Sequence, residues 1–162
     1  MLFIGVRIEE KGDVSMRVQA RCRAATQSDL QVIKGFLKEN GLPELGVDGW
    51  VENFVIAEDQ DGSLVGVAGL ELYGKSGLVR SVAVKKSFRG QGYGRILVEA
   101  VVGNARARGL KTLYLLTDDA SAYFQRLGFQ PVDRKEVDRA VKASVEFTEM
   151  CEGATAMRRV LG

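Results

Sequence analysis

A chain of 162 residues, 46% of them hydrophobic, is long enough for one domain with a substantial core. Its 23 basic and 21 acidic side chains leave a formal charge of +2, too small to argue for nucleic acid or an anionic membrane as partner. There is no histidine, which removes Ser-His-Asp triads, Cys-His dyads and HExxH zinc sites together, so no metal centre is expected.

In chain order, Met1 to Val6 is an apolar run that stops at Arg7, too short for a membrane span or a signal-peptide core. Residues 1–16 are an expected extension, with Met16 an alternative start, and residues 17–162 an expected single domain. Over 17–24, Val18, Ala20, Cys22 and Ala24 alternate with polar residues at the period of a half-buried strand. Ser28 and Asp29 are expected to cap an amphipathic helix through Leu30, Ile33, Phe36 and Leu37 that ends at Gly41. A loop with Pro43, Gly46, Gly49 and Trp50 follows. Residues 54–58 and 63–72 read as a hairpin closed by Asp59-Gln60-Asp61-Gly62.

After an expected turn at 74–77, residues 78–84 form an apolar strand, and a basic glycine loop leads into a helix over 94–108 that Gly109 stops. A strand at 113–116, a short helix at 121–127 and an alternating strand at 154–161 complete the chain. Strands outnumber helices, but the central strand-loop-helix-strand segment demands a parallel pair within a largely antiparallel sheet. The expected class is therefore mixed α/β, with a mostly antiparallel central sheet, one parallel strand pair and flanking helices. Cys22 and Cys151 form no CxxC pair and no disulfide framework; they read as buried small residues in a cytoplasmic protein.

The chemistry concentrates between Val82 and Arg95. Glycines 90, 92 and 94 let successive N–H groups converge at the start of a helix, where the helix dipole adds positive potential, so the loop suits a pair of phosphates. A P-loop is excluded because Gly94-Arg95-Ile96 lacks Lys-Ser/Thr. A Rossmann turn is excluded because Gly90-x-Gly92-x-Gly94 has the wrong last step.

Arg89-Gly90-Gln91-Gly92-Tyr93-Gly94 resembles the Arg/Gln-x-x-Gly-x-Gly/Ala signature of the GNAT acetyltransferases. Ala120-x-x-Tyr123-Phe124-x-x-x-Gly128-Phe129 resembles that family's second motif. Residues 69–74, 78–81 and 148–151 are most similar to the arsenic-resistance N-acetyltransferases, and residues 115–129 to the acetyltransferase domain of N-acetylglutamate synthases. The resemblance implies the GNAT fold, acetyl-CoA as cosubstrate and no metal. It implies direct transfer of the acetyl group to a small amino-acid-like amine.

In that reading the backbone of Val82, Ala83 and Val84 pairs with the pantetheine arm. The amides of Arg89, Gly90, Gln91, Gly92, Tyr93, Gly94 and Arg95 hold the pyrophosphate, and Thr117 and Tyr123 contact the cofactor. Phe124 stands where many GNAT enzymes carry an acid tyrosine, which leaves water to protonate the thiolate. Alternation puts Val65, Val67, Gly69, Glu71 and Tyr73 on one face. Glu71 is the candidate general base, with a solvated carboxylate or a partner for Arg80 as the other readings. Tyr73 and Arg80 are candidate substrate contacts, Arg80 alternating with Val82 and Val84 and offering a guanidinium fork for a carboxylate or an arsenic oxyanion. Trp50 and the 41–49 loop either roof the acceptor or pack the core. Other readings are a protein N-acetyltransferase and a noncatalytic acyl-CoA sensor. No nucleic acid or membrane is expected, and a homodimer is left open.

Overall fold

In a computed structural model of the chain, residues 21–150 and 152–162 are described. The expected extension, the first half of the first strand and Cys151 lie outside them. Seven strands form one sheet: β1 (Arg21–Ala24), β2 (Val55–Glu58), β3 (Leu64–Tyr73), β4 (Ser76–Val84), β5 (Thr112–Thr117), β6 (Gln130–Pro131) and β7 (Thr155–Val160). Among the described residues their order is β1-β2-β3-β4-β5-β7-β6, with β4 and β5 the one parallel pair. The helices are α1 (Leu30–Glu39), α2 (Tyr93–Ala107) and α3 (Ser121–Arg126).

One face of the sheet is covered by α2 and α3. Val98, Val101, Phe124 and Phe129 pack there on Val55, Leu70, Val79 and Leu115. Gly128, at φ 89°, ends α3 in the left-handed conformation that glycine adopts at least cost, and so turns Phe129 into this core. On the other face, α1 buries Ile33, Phe36 and Leu37, spaced as one helical stripe, against Ile56, Val67 and Ala83. Farther along that face the connection from β6 to β7, residues 132–154, folds back over Leu78, Tyr114 and Leu116 through Val137, Val141 and Ala154.

Three expectations change. The cap of α1 begins earlier than Ser28, because the Asp29 carboxylate accepts the Thr26 N–H at 2.8 Å and a short 3-10 turn, Gln27–Asp29, precedes the helix. The turn before β4 is tighter than 74–77: Tyr73 already pairs with Ser76, and Gly74, at φ 63°, makes the reversal. Cys22 is exposed, because β1 is an edge strand whose residues all face solvent.

Two bulges rearrange the strand faces. Between the pairs Ala57–Gly66 and Glu58–Leu64 an extra residue, Val65, leaves the alternation and joins the α2-side cluster, while Val67, Gly69, Glu71 and Tyr73 keep the opposite face. Between the pairs Val67–Ala83 and Gly69–Arg80, one residue of β3 faces two of β4, and Ser81 takes φ 56°. Val82 and Val84 therefore point toward α2, and Arg80 points the other way.

Candidate active site

The site is built where β4 leaves β5. The two strands pair at Ser76–Thr112, Gly77–Leu113 and Leu78–Tyr114, and no further pairing joins them, although β4 continues to Val84 and β5 to Thr117. From Val79 onward β4 is paired, among the described residues, with β3 alone, so the edge turned toward β5 offers peptide groups to an extended ligand. Val82, Ala83 and Val84 lie on this stretch, with side chains buried in the two cores and only their main chain available.

Beyond Val84 a short 3-10 turn, Lys86–Phe88, leads into the glycine loop. Gly90 and Gly92 have φ 77° and 91°. The first turn of α2 begins directly after them, and its first internal bond is from the Ile96 N–H to the Gly92 carbonyl, 3.2 Å. The amides from Gly90 to Arg95 have no backbone acceptor among the described residues, so they form a row of donors at a helix N-terminus. Arg89 stands outside the expected row: its own N–H bonds the Lys86 carbonyl at 3.4 Å, closing the 3-10 turn, so the free amides start at Gly90. Its Nε donates to the Val84 carbonyl at 2.9 Å and one Nη to Asn40 Oδ1 at 3.0 Å, pinning the loop to β4 and α1. Tyr93 is buried edge-on against Phe88.

Across the opening, Thr117 Oγ1 accepts the Ala120 N–H at 3.1 Å and so starts α3, keeping its own hydroxyl proton for another partner. Tyr123 is 7% exposed, and its buried hydroxyl has no hydrogen-bond partner among the described residues. Burial pushes this phenol above its ordinary range, and the nearby Arg95 charge pulls the other way. A buried hydroxyl without a partner is costly and rare. Its presence beside the donor row fits a long polar ligand threaded between β4 and β5.

A seven-strand sheet with one parallel pair that splays beside a glycine loop is decisive when joined to one comparison. The family description Acetyltransferase (GNAT) domain matches residues 50–131. The chain belongs to the GNAT acetyltransferases. An amino-acid acetyltransferase of Pseudomonas fluorescens is 35% identical over 94 residues, which are 56% of this chain and 22% of that one. N-acetylglutamate synthase from Neisseria gonorrhoeae, solved with coenzyme A and N-acetyl-glutamate, superposes with TM-score 0.77 at 22% identity, over 90% of this chain and 36% of that one. Rv2747 from Mycobacterium tuberculosis, solved with CoA and NLQ, superposes with TM-score 0.74 at 25% identity, over 88% and 99%. The chain spans about a fifth of the length of the first curated relatives it matches.

On the face away from α2, the GNAT domain holds a buried ion cluster. Arg80 Nη1 donates to Glu71 Oε2 at 2.8 Å, Nε lies 3.0 Å from Ser81 Oγ and 3.3 Å from Glu146 Oε1, and Nη2 donates to the Leu45 carbonyl at 2.8 Å. Arg80 is 0% exposed and both carboxylates 1%. Glu71 is thus no solvated carboxylate: one oxygen takes Arg80 and the other the Tyr73 hydroxyl. Tyr73 is half-buried, faces Trp50 with ring centroids 5.8 Å apart, and has its phenol pushed up by burial first and by the Glu71 bond second. The bulge at Ser81 brings Glu71, Tyr73 and Arg80 together but takes Arg80 off the face of Val82 and Val84. Glu146 was not singled out in the sequence, since it sits in a π-helical turn, Glu146–Met150, of an aperiodic connection. Among the described residues no cluster of acidic or cysteine side chains suits a metal, and no helix is long and apolar enough to cross a membrane.

Proposed function

We propose that the protein moves the acetyl group of acetyl-CoA onto the amine of a small amino-acid-like substrate, directly, within a ternary complex. The observation that carries this reading is the parting of β4 and β5 after Leu78 and Tyr114 beside the row of amides from Gly90 to Arg95. The pantetheine arm lies along Val82, Ala83 and Val84, the pyrophosphate sits on the loop from Arg89 to Arg95, and Thr117 and Tyr123 contact the arm from the β5 side. Bound there, acetyl-CoA supplies a thioester carbon. The acceptor nitrogen bonds to that carbon as the carbon–sulfur bond breaks and coenzyme A leaves as thiolate. Holding both reactants in one cleft supplies much of the acceleration.

The acceptor approaches from the face of Glu71, Tyr73 and Arg80. Both Glu71 oxygens are engaged, so the amine's proton reaches Glu71 through the Tyr73 hydroxyl or a water rather than by direct contact. The connection 132–154 packs over this part of the sheet and narrows the approach, which favours a small acceptor over a protein chain. The amino-acid acetyltransferase of Pseudomonas and the N-acetylglutamate synthase of Neisseria, as similar proteins, support an amino-acid-like acceptor. The resemblance at 69–74, 78–81 and 148–151 extends the proposal to an arsenic-bearing amino acid and to arsenic resistance. Residues 17–162 act as a single cytoplasmic domain that uses neither nucleic acid nor membrane; a homodimer is compatible with it.

Thiol release from acetyl-CoA, measured against amino acids, their arsenic analogues and basic peptides, tests the proposal. Release is expected with one or more amino-acid-like amines. A melting shift with coenzyme A but no release on any amine would instead establish an acyl-CoA sensor, and release on peptides alone a protein acetyltransferase.

A further inference from the structure

Ser81 is the one residue other than glycine with positive φ among the described residues, and it lies in the stretch where β4 leaves β5. The left-handed conformation costs an L-residue on the order of 1 kcal/mol and persists only where its surroundings enforce it. What surrounds Ser81 is the Arg80 guanidinium, whose Nε reaches Ser81 Oγ at 3.0 Å and Glu146 Oε1 at 3.3 Å. Glu146 is 1% exposed and comes from a segment more than 60 residues away, so its carboxylate is brought in by the fold of the 132–154 connection. Glu71 holds the far end of the same guanidinium from β3. Arg80 is thereby gripped on two sides, with its Nε directed at the strained residue.

We propose that Glu146 is a positioning residue for acyl transfer. Acting through Arg80, it holds Ser81 in the left-handed conformation, and that conformation sets how the peptide groups of residues 81–83 face the cleft between β4 and β5. The inference rests on the reading of that cleft as the acyl-transfer site. Arg80 and Ser81 stand between Glu146 and residues 82–84, and the glycine loop lies beyond Val84. Loss of Glu146 therefore acts mainly on the peptide groups beside the reacting thioester, while the amides that seat the pyrophosphate, and with them most of the coenzyme A affinity, are kept.

The test uses E146Q, which keeps the shape and removes the charge, with S81G and the double variant. E146Q is expected to lower kcat roughly tenfold or more while the dissociation constant of coenzyme A stays within about twofold. Glycine takes positive φ without penalty, so S81G no longer needs the Arg80–Glu146 grip, and E146Q in the S81G background is expected to lower kcat by less than about threefold. Hydrogen exchange provides a readout free of turnover: amides of 79–84 exchange faster in E146Q and those of 89–95 do not. Unchanged kcat and exchange in E146Q would overturn the proposal. So would a loss that S81G leaves undiminished and that coenzyme A binding shares. Should E146Q be too unstable to assay, E146D keeps the charge, shortens the reach and is expected to show the same pattern in smaller measure. If the wild-type protein releases no thiol with any amine, the transfer reading fails by itself, and the exchange comparison still decides whether Glu146 holds Ser81.

Discussion

Arg80 Nη1 and Glu71 Oε2 lie 2.8 Å apart with neither side chain open to solvent. A buried pair of this kind adds little net stability compared with a well-packed apolar pair, yet losing one partner strands a charge at a cost of about 3–5 kcal/mol. Its persistence at the meeting point of β3, β4, the 41–49 loop and the 132–154 connection therefore points to a service to the site. E71A is expected to unfold at markedly lower urea concentration. E71Q, whose one amide oxygen still accepts from Arg80 while its amide nitrogen donates to the Tyr73 hydroxyl, is expected to fold, with turnover at saturating substrate reduced. Turnover equal to wild type in E71Q would take Glu71 out of the proton path.

Tyr123 makes the opposite prediction for stability. Its buried hydroxyl has no partner among the described residues, so removing it relieves a desolvation penalty rather than breaking a bond. Y123F is expected to melt at the same temperature as wild type or slightly higher, while the upward shift produced by coenzyme A shrinks. Calorimetric titration checks the second half; an unchanged affinity would show that the hydroxyl does not meet the cofactor.

The regular parts of the fold were legible in the sequence because single-residue periods report them directly. Ile33, Phe36 and Leu37 mark the inward stripe of α1, and the glycine-rich loop after Val84 marks the parallel crossover. What alternation could not report is a bulge, because one extra residue reverses every side chain after it. Strict alternation puts Arg80 with Val82 and Val84; the left-handed Ser81 puts it with Glu71 instead, which no serine in a strand advertises. The short β6 was missed because two exposed residues carry no period, and Glu146 because its burial is decided by packing across the sheet. Cys22 was misread because its alternation with polar neighbours looked like a buried face, on an edge strand that has none.

Gly69 ties the site to the core through space alone. A Cβ there would lie 2.5 to 2.8 Å from three ring atoms of Phe54, itself fully buried. An aromatic ring closed in on all sides does not retreat cheaply, and overpacking of this kind costs about 1–3 kcal/mol. G69A is expected to lose stability in that range by urea unfolding. Coenzyme A affinity should hold, since the ring lies on the α1 side and the glycine loop on the other end of β4. A G69A protein as stable as wild type would mean that the Phe54 pocket has slack the close contact denies.

Asp29 gives the fold an acid limit. Arg23 donates to both of its oxygens at 2.9 Å, and the Thr26 N–H adds a third bond at 2.8 Å; the Arg23 bonds first and the Thr26 amide second hold the carboxyl well below its usual range. A carboxyl depressed in the folded state stabilises the protein fully above its unfolded pKa of about 3.9, and that contribution disappears as pH falls through the lower folded value. D29N keeps the side-chain shape but cannot lose a proton. It is expected to be less stable than wild type at pH 7 by about 1 kcal/mol, the usual worth of a helix cap, with the difference closing as pH falls below 4. Urea midpoints for the two proteins at pH 7, 5 and 3 measure this directly; a gap that stays constant with pH would mean that Asp29 contributes shape and hydrogen-bond geometry but not charge.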